Sequence, residues 1–181
     1  MTIDIANAVG SGDLNTELAL DALEADLTTP YVEYDPSNYH GLYLRLKDNG
    51  PLITVYRSGK YIVSGCSSFE ELHRTNDSFV DEFNELGIIV DGQTIGFSVQ
   101  NVVCTGNLET NVQLNTLSIS LGLESIEYEP EQFPGLIYRP SDFDAVLLIF
   151  ATGKVVITGA KDLATAESAF LHLRSKIQEL T

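Results

Sequence analysis

The sequence predicts an α+β fold assembled from two copies of one unit, and three observations carry that prediction. The chain repeats itself at an offset of 94 residues, its apolar residues form short runs broken by Gly-containing turns, and one long amphipathic stripe follows the runs in each half. At that offset Tyr34, Pro36, Gly41, Leu42, Arg45, Gly59, Lys60 and Gly65 fall on Tyr128, Pro130, Gly135, Leu136, Arg139, Gly153, Lys154 and Gly159. Asn7, Val9, Gly12, Leu14, Leu20 and Leu23 fall on Asn101, Val103, Gly106, Leu108, Leu114 and Leu117. Residues 1–87 thus map onto 95–181 without a gap, which marks an internal duplication. We place the repeats at residues 1–90 and 91–181. Two similar units in one chain imply a pseudo-two-fold object.

The elements follow in order. Residues 3–12 read as a strand through Ile3, Ile5 and Val9. Asp13 is positioned to N-cap a helix burying Leu14, Leu18, Leu20 and Leu23, which Thr29-Pro30 ends. Residues 31–34 form a short strand and Asp35-Pro36 a turn; residues 40–47, 52–56 and 60–64 form three more strands, joined by turns at Asp48-Asn49-Gly50 and Ser58-Gly59. Ser67 or Ser68 caps a longer helix with Phe69, Leu72, Phe79, Phe83 and Leu86 near one stripe and Glu70, Glu71, Asp77, Asp81 and Glu82 toward water. The second half repeats this with a strand at 99–105, a helix through Leu114 and Leu117, and a strand at 125–129. Strands at 146–150 and 155–158 then flank Gly153-Lys154, and a last helix carries Leu163, Ala166, Phe170, Leu173, Ile177 and Leu180. Each unit is strand, helix, four strands, helix. Joined about a pseudo-axis, two such units give a long antiparallel sheet with four helices on a single face.

The runs 146–150 and 155–158 show no polar alternation, which predicts a sheet covered on both faces. Helices account for one face. Side chains alternate along a strand, so Val155 and Ile157 turn to the helices while Val156 and Thr158 turn away, together with Val103 and Phe150, and with Val9 and Ile62 in the first half. An apolar outer face of this extent is a binding surface, for a ligand or for a second copy of the chain.

Composition narrows the classes. Hydrophobic residues make up 44% of the 181, enough for a core. The sequence shows no signal peptide and no apolar run near the roughly 20 residues of a membrane span, so a soluble, cytoplasmic protein is expected. Cys66 and Cys104 match Ala160 and Gly10 at the repeat offset and read as small buried residues, not as a disulfide pair. The net charge of −16 divides as −11 over residues 1–94 and −5 over 95–181. Such a balance ordinarily argues against nucleic acid. Scattered acids with few lysines also suit solvation in a cytoplasm of very high salt, and here the acids are scattered. Enzyme chemistry finds no support: His40, His73 and His172 lack metal-ligand spacing, and Gly10-Ser11-Gly12-Asp13 lacks the lysine of a phosphate loop. No catalytic residue, metal or cofactor is expected.

Two stretches are more specific: residues 128–139, YEPEQFPGLIYR, and residues 150–161, FATGKVVITGAK. Over nearly its whole length the chain resembles the TATA-box-binding protein family, archaeal type. The resemblance implies a saddle, a curved antiparallel sheet with four helices on its convex face and a concave face that grips the DNA minor groove. This family is itself the general example of kinking by minor-groove wedges. By resemblance Phe133 and Phe150 are wedges that pry apart a base step. Asn101 donates to groove acceptors, and Val103 packs on the groove floor. Val156 and Thr158 supply an apolar and a hydrogen-bonding contact, Leu148 lies beside them, and Arg139 and Lys161 steady phosphates. The residue types suit A·T pairs, whose minor groove offers only adenine N3 and thymine O2 as acceptors.

The first half departs from the family pattern. Asn7, Val9 and Arg45 remain, but Tyr39 and Tyr56 replace the other two wedge phenylalanines. Ile62 and Ser64 stand where Val and Thr are usual, Thr54 stands opposite Leu148, and Ser67 stands where the second half has Lys161. The resemblance also implies that Glu129, Glu131 and Gln132 dock transcription factor B, which brings RNA polymerase indirectly. The first-half tip, Tyr34, Asp35, Ser37 and Asn38, lacks the Glu-x-Glu pattern, so docking is one-sided. The expected function is a general initiation factor on A·T-rich promoters, associated with the nucleoid and able to dimerise through its sheet when free. The alternative is a diverged relative acting through protein interaction or on selected promoters. With acids so abundant, affinity for DNA is expected to fall little, or to rise, as salt increases.

Overall fold

The computed structural model describes residues 3–180, which divide into two compact units, residues 7–100 and residues 3–6 with 101–180. The first unit contains β1 (Asp4–Asp13), α1 (Leu20–Asp26), β2 (Tyr31–Glu33), β3 (Leu42–Arg45), β4 (Leu52–Val55), β5 (Lys60–Cys66) and α2 (Phe69–Glu85). The second contains β6 (Gly96–Asn107), α3 (Leu114–Leu121), β7 (Ile126–Glu127), β8 (Leu136–Tyr138), β9 (Val146–Ile149), β10 (Lys154–Ala160) and α4 (Leu163–Gln178). Residues 4–6 of β1 count with the second unit and residues 96–100 of β6 with the first. The strands lie in the order β2-β3-β4-β5-β1 in one unit and β6-β10-β9-β8-β7 in the other, antiparallel to their neighbours. The predicted sequence of strand, helix, four strands and helix is present in each. Strands β4 and β9, strands β5 and β10, and helices α2 and α4 each begin 94 residues apart.

Alternation along the strands builds each core. In the first unit Leu42, Leu44, Ile53, Val55, Tyr61 and Val63 are fully buried, against Leu72, Phe79 and Phe83 of α2. In the second, Leu136, Leu147, Ile149, Val155 and Ile157 are buried with Ala166, Ala169, Phe170 and Leu173 of α4. The intervening residues stay half-exposed: Tyr43, Ile62 and Ser64 in one unit, Ile137, Val146, Leu148, Val156 and Thr158 in the other. The apolar runs therefore do not report a sheet covered on both faces. One face is sealed by helices and the other carries apolar side chains that remain accessible. Cys66 and Cys104 are buried and unpaired, and burial pushes the Cys66 thiol up to about 11.

Local chemistry corrects two boundaries. Asp13 does not cap a helix: its carboxylate accepts the Asn15 amide at 2.8 Å, and Asn107 receives Glu109 in the same way at 2.8 Å. These are Asx turns that hold Asn15 and Glu109 at φ 55° and 58°. Leu14 and Leu18 are buried without being helical, and α1 starts at Leu20 behind Ala19, which gives no side-chain cap. The strand expected at 125–129 shrinks to β7, because residues 123–125 close into a 3-10 turn. Of the two serines, Ser68 caps α2, its hydroxyl accepting the Glu71 amide at 3.0 Å, while Asp162 caps α4 by accepting the Thr165 amide at 2.7 Å.

One polar contact is sunk in the first core. Tyr61 is fully buried and its hydroxyl donates to Oδ1 of Asn76, itself buried, at 2.6 Å. Removing the hydroxyl leaves a buried carbonyl without a donor. Tyr61→Phe is expected to destabilise by about 1–3 kcal/mol in chemical denaturation, despite conserving the ring.

Candidate nucleic-acid interface

Each unit places a matching set of side chains on its helix-free face. Strand register sets the first row directly. In the second unit Thr105, Val156, Leu148, Ile137 and Glu127 lie side by side across five strands, and in the first Ser11, Ile62, Thr54, Tyr43 and Glu33 do so. The second row pairs Thr158 with Val146, and Ser64 with Leu52. Val9 and Val103 are half-exposed on the same alternation. The second unit's row is the more apolar, since Val, Leu and Ile there answer to Ile, Thr and Tyr.

The two asparagines are set by a backbone device. Gly65 and Gly159 adopt φ 81° and 86°, where β5 and β10 slip register against β1 and β6. At these bulges the Gly65 amide donates to Oδ1 of Asn7 at 2.9 Å, and the Gly159 amide to Oδ1 of Asn101 at 2.8 Å. The bond assigns the amide orientation, because only the oxygen end accepts a backbone N–H. Each side chain is left with its Nδ2 donors for other partners. For Asn101 the hydroxyl of Thr158 lies 3.4 Å away.

Aromatic pairs stand beside both faces in the same arrangement. The Phe133 and Phe150 rings are 5.8 Å apart at 67°, and those of Tyr39 and Tyr56 are 6.3 Å apart at 69°. A glycine lies under each pair: a Cβ on Gly135 meets Phe133 at 2.8 Å and Phe150 at 3.1 Å, and one on Gly41 meets Tyr39 at 2.9 Å and Tyr56 at 3.2 Å. The loops before them are also alike. Asp35 O accepts the amides of Asn38 and Tyr39, and Glu129 O those of Gln132 and Phe133. The first pair adds a bond the second cannot make, with the two phenol oxygens 2.7 Å apart. Tyr43 stacks on Tyr39 at 5.3 Å, and burial, with help from the Tyr39 hydroxyl, pushes the Tyr56 phenol up to about 12. The Tyr56 hydroxyl therefore holds its proton near neutral pH.

The charged residues differ more. Lys161 is exposed and, among the described residues, makes no ion pair. Arg139 meets Glu127 at 3.3 Å in an exposed pair of little energetic weight. Arg45 donates to the Gly50 carbonyl and lies 6.0 Å over the Tyr31 ring. At the first-half counterpart of Lys161, Ser67 donates through its amide and its hydroxyl to the Glu71 carboxylate, at 2.8 and 2.9 Å. Those bonds, with the nearby charges of Lys47 and Arg74, hold the Glu71 carboxyl below its usual range, so Ser67 faces a carboxylate where the other unit carries the Lys161 cation. Glu129, Glu131 and Gln132 are exposed on their loop.

Sequence reasoning missed part of this face. Tyr43 and Ile137 belong to the first row, and the period-2 pattern around Arg45 and Arg139 was the available signal. Lys60 and Lys154 line open hollows of about 680 and 740 Å³ beside Tyr56 and Phe150. Their signal was the repeated Gly-Lys pair, which reads as a turn alone.

Comparison with known proteins agrees along the whole chain. Residues 2–86 and 96–180 each match the family described as transcription factor TFIID, or TATA-binding protein. The chain is 64% identical over 180 residues to TATA-box-binding protein C of Halobacterium salinarum, covering 99% of both chains. It is 41% identical to TATA-box-binding protein 2 of Haloferax volcanii, covering 99% of this chain and 95% of that one. Both relatives come from halophilic archaea, which suits the acidic balance. The solved Methanococcus jannaschii TBP superposes with a TM-score of 0.83 at 35% identity, covering 99% of both chains. The chain belongs to the TATA-binding protein family of transcription factors, a family without enzymatic activity.

Proposed function

We propose that the protein is a general initiation factor that binds the minor groove of A·T-rich promoter DNA, kinks it with its aromatic pairs and recruits transcription factor B and, through it, RNA polymerase. The observation that carries this reading is the pair of fixed amides. Asn7 and Asn101 have their acceptor ends occupied by backbone, so donors remain for a groove floor that presents acceptors. In one unit Val9 and Ile62, and in the other Val103, Leu148 and Val156, give the helix-free face an apolar floor with no partner for a guanine amino group, while Ser64 and Thr158 add hydroxyls. Phe133 with Phe150, and Tyr39 with Tyr56, act as wedges. Unstacking a step costs a few kcal/mol, which the buried apolar face offsets. Arg45, Arg139 and Lys161, with Lys60 and Lys154, contact phosphates. Glu129, Glu131 and Gln132 form the docking site for transcription factor B. Free of DNA, the same apolar face is covered by a second copy of the chain, and sedimentation of the free protein should show a dimer that DNA dissociates.

The test is a fluorescence-detected bend assay on an A·T-rich duplex in molar salt, with and without transcription factor B. The wild-type protein should bind and bend the duplex alone. The double variant Phe133→Ala/Phe150→Ala should lose the kink made by that pair, keep the one made by Tyr39 and Tyr56, and lose roughly tenfold or more in affinity, since base–aromatic contact is worth about 1–3 kcal/mol per base. A second reading, a promoter-selective regulator with a weakened first half, is favoured by the Glu71 anion beside Ser67. Binding only in the presence of transcription factor B supports it. Capture of transcription factor B without DNA binding under any condition leaves a protein-interaction module and overturns the initiation-factor reading.

A further inference from the structure

We propose that Asn49 is a site of spontaneous covalent modification, where the backbone nitrogen of Gly50 closes on the side-chain amide, expels ammonia and leaves isoaspartate and aspartate. Asn49-Gly50 is the single Asn-Gly pair in the sequence, and its counterpart, Phe143-Asp144, has neither residue. The pair lies in the turn between β3 and β4 of the first unit. A side chain on the residue after an asparagine hinders the swing that brings its backbone nitrogen to the amide carbon, and glycine removes that obstacle.

Three features of the turn favour the attack. Asn49 is exposed at φ 56°, and among the described residues its side-chain amide makes no hydrogen bond, so nothing holds the group that must leave. Asn7, Asn101 and Asn107 are tied to backbone amides, and Asn76 is buried with Tyr61. The Gly50 amide is held by one bond of 3.1 Å to the Lys47 carbonyl, which a local opening of the turn releases. Lys47 also supplies charge. Its stem folds over Gly50, where a Cβ would lie 2.6 Å from the lysine Cγ and 3.2 Å from its Cε. The ammonium next to that Cε favours the deprotonated Gly50 nitrogen, which is the form that attacks.

Water is the one co-reactant the atoms require. The Gly50 nitrogen bonds to Cγ of Asn49, the Cγ–Nδ2 bond breaks, and the proton of the Gly50 amide leaves with Nδ2 as ammonia. Water then opens the cyclic imide. Cleavage of its bond to Cγ leaves aspartate. Cleavage of its bond to the Asn49 backbone carbonyl carbon leaves isoaspartate, whose main chain is longer by a methylene. Either product places a new carboxylate in the turn whose Gly50 carbonyl accepts from Arg45.

The experiment incubates the folded full chain in neutral molar potassium chloride and follows residues 48–57, which trypsin releases after Lys47 and Arg57, by mass spectrometry. Digestion in heavy-oxygen water marks any conversion that happens during handling, and isoaspartyl methyltransferase tells isoaspartate from aspartate. Asn49 should convert roughly tenfold or more faster than every other asparagine of the folded chain, with isoaspartate among the products. Lys47→Met should slow that conversion by about threefold at an unchanged melting temperature, and Lys47→Arg, which keeps the cation, should convert as the wild type does. The chain unfolded in urea serves as the reference for unhindered reaction. An intact Asn49 in the folded protein, after an interval in which the unfolded chain has converted, overturns the proposal, as does product found with the handling mark alone. Equal rates in wild type and Lys47→Met overturn the part assigned to the lysine.

Discussion

Asn101→Asp is expected to leave the fold intact and to weaken binding to an A·T-rich duplex by roughly a hundredfold or more. The substitution keeps the oxygen that accepts the Gly159 amide at 2.8 Å, so the bulge in β10 and the register of its neighbours survive. What changes is the other end of the side chain. An amide nitrogen with two donors becomes a carboxylate oxygen, and it meets adenine N3 and thymine O2, which are acceptors themselves. The loss combines a missing hydrogen bond with an anion stripped of water and unpaired, together about 3 kcal/mol or more. Thermal unfolding and anisotropy on the same preparation separate the two properties. A melting temperature near wild type with binding reduced as stated supports the assignment. Equal affinity for the variant and the wild type rules out donation from Asn101 to the groove. The same reasoning applies to Asn7→Asp, since Gly65 plays the part of Gly159.

Much of the fold could be read because the chain states it twice. A turn glycine or a strand boundary that is ambiguous once becomes firm when its counterpart stands 94 residues away, as with Gly59 and Gly153 or Leu52 and Val146. Duplication does not help where both copies mislead together. Asp13 looks like a helix cap, yet it and its counterpart Asn107 both close Asx turns, because a local side-chain-to-backbone bond competes with helix initiation. The apolar runs failed for another reason. Hydrophobicity reports that a face avoids water, and a face kept for a ligand has the same signature as one under helices. Alternation placed Val156 and Phe150 on the outer face, family resemblance supplied the roles of Phe133, Phe150, Asn101 and Val156, and the geometry then supplied what resemblance omits: which end of each asparagine is free. Legible only in three dimensions were the bond between Tyr39 and Tyr56 and the capture of Ser67 by Glu71, because each joins residues whose meeting depends on loop or helix-cap geometry.

Gly153→Ala is expected to destabilise the protein by about 2–4 kcal/mol. Two effects add. Gly153 sits at φ 87°, where a side chain costs about 1 kcal/mol, and its Cβ comes within 2.2 Å of the Thr110 carbonyl oxygen. That oxygen is backbone and cannot swing aside, so the turn or the segment carrying Thr110 must move. Gly59 repeats the arrangement at φ 89°, with a Cβ 2.3 Å from the Thr16 carbonyl oxygen, and Gly59→Ala should behave alike. Gly87 provides the control. Its φ is 75° but a Cβ there meets nothing within 4 Å, so Gly87→Ala should show the conformational cost alone, about 1 kcal/mol. Denaturant titrations of the three variants isolate the backbone collision as the difference, and equal losses at all three positions refute it. The collision also bears on function, because the Gly153 amide donates to the Phe150 carbonyl at 2.9 Å. A turn displaced to admit a methyl group carries Phe150 with it. Gly153→Ala should therefore lose bending at the phenylalanine end in proportion to that displacement, while Gly87→Ala, distant from both aromatic pairs in the chain, should bend DNA as the wild type does.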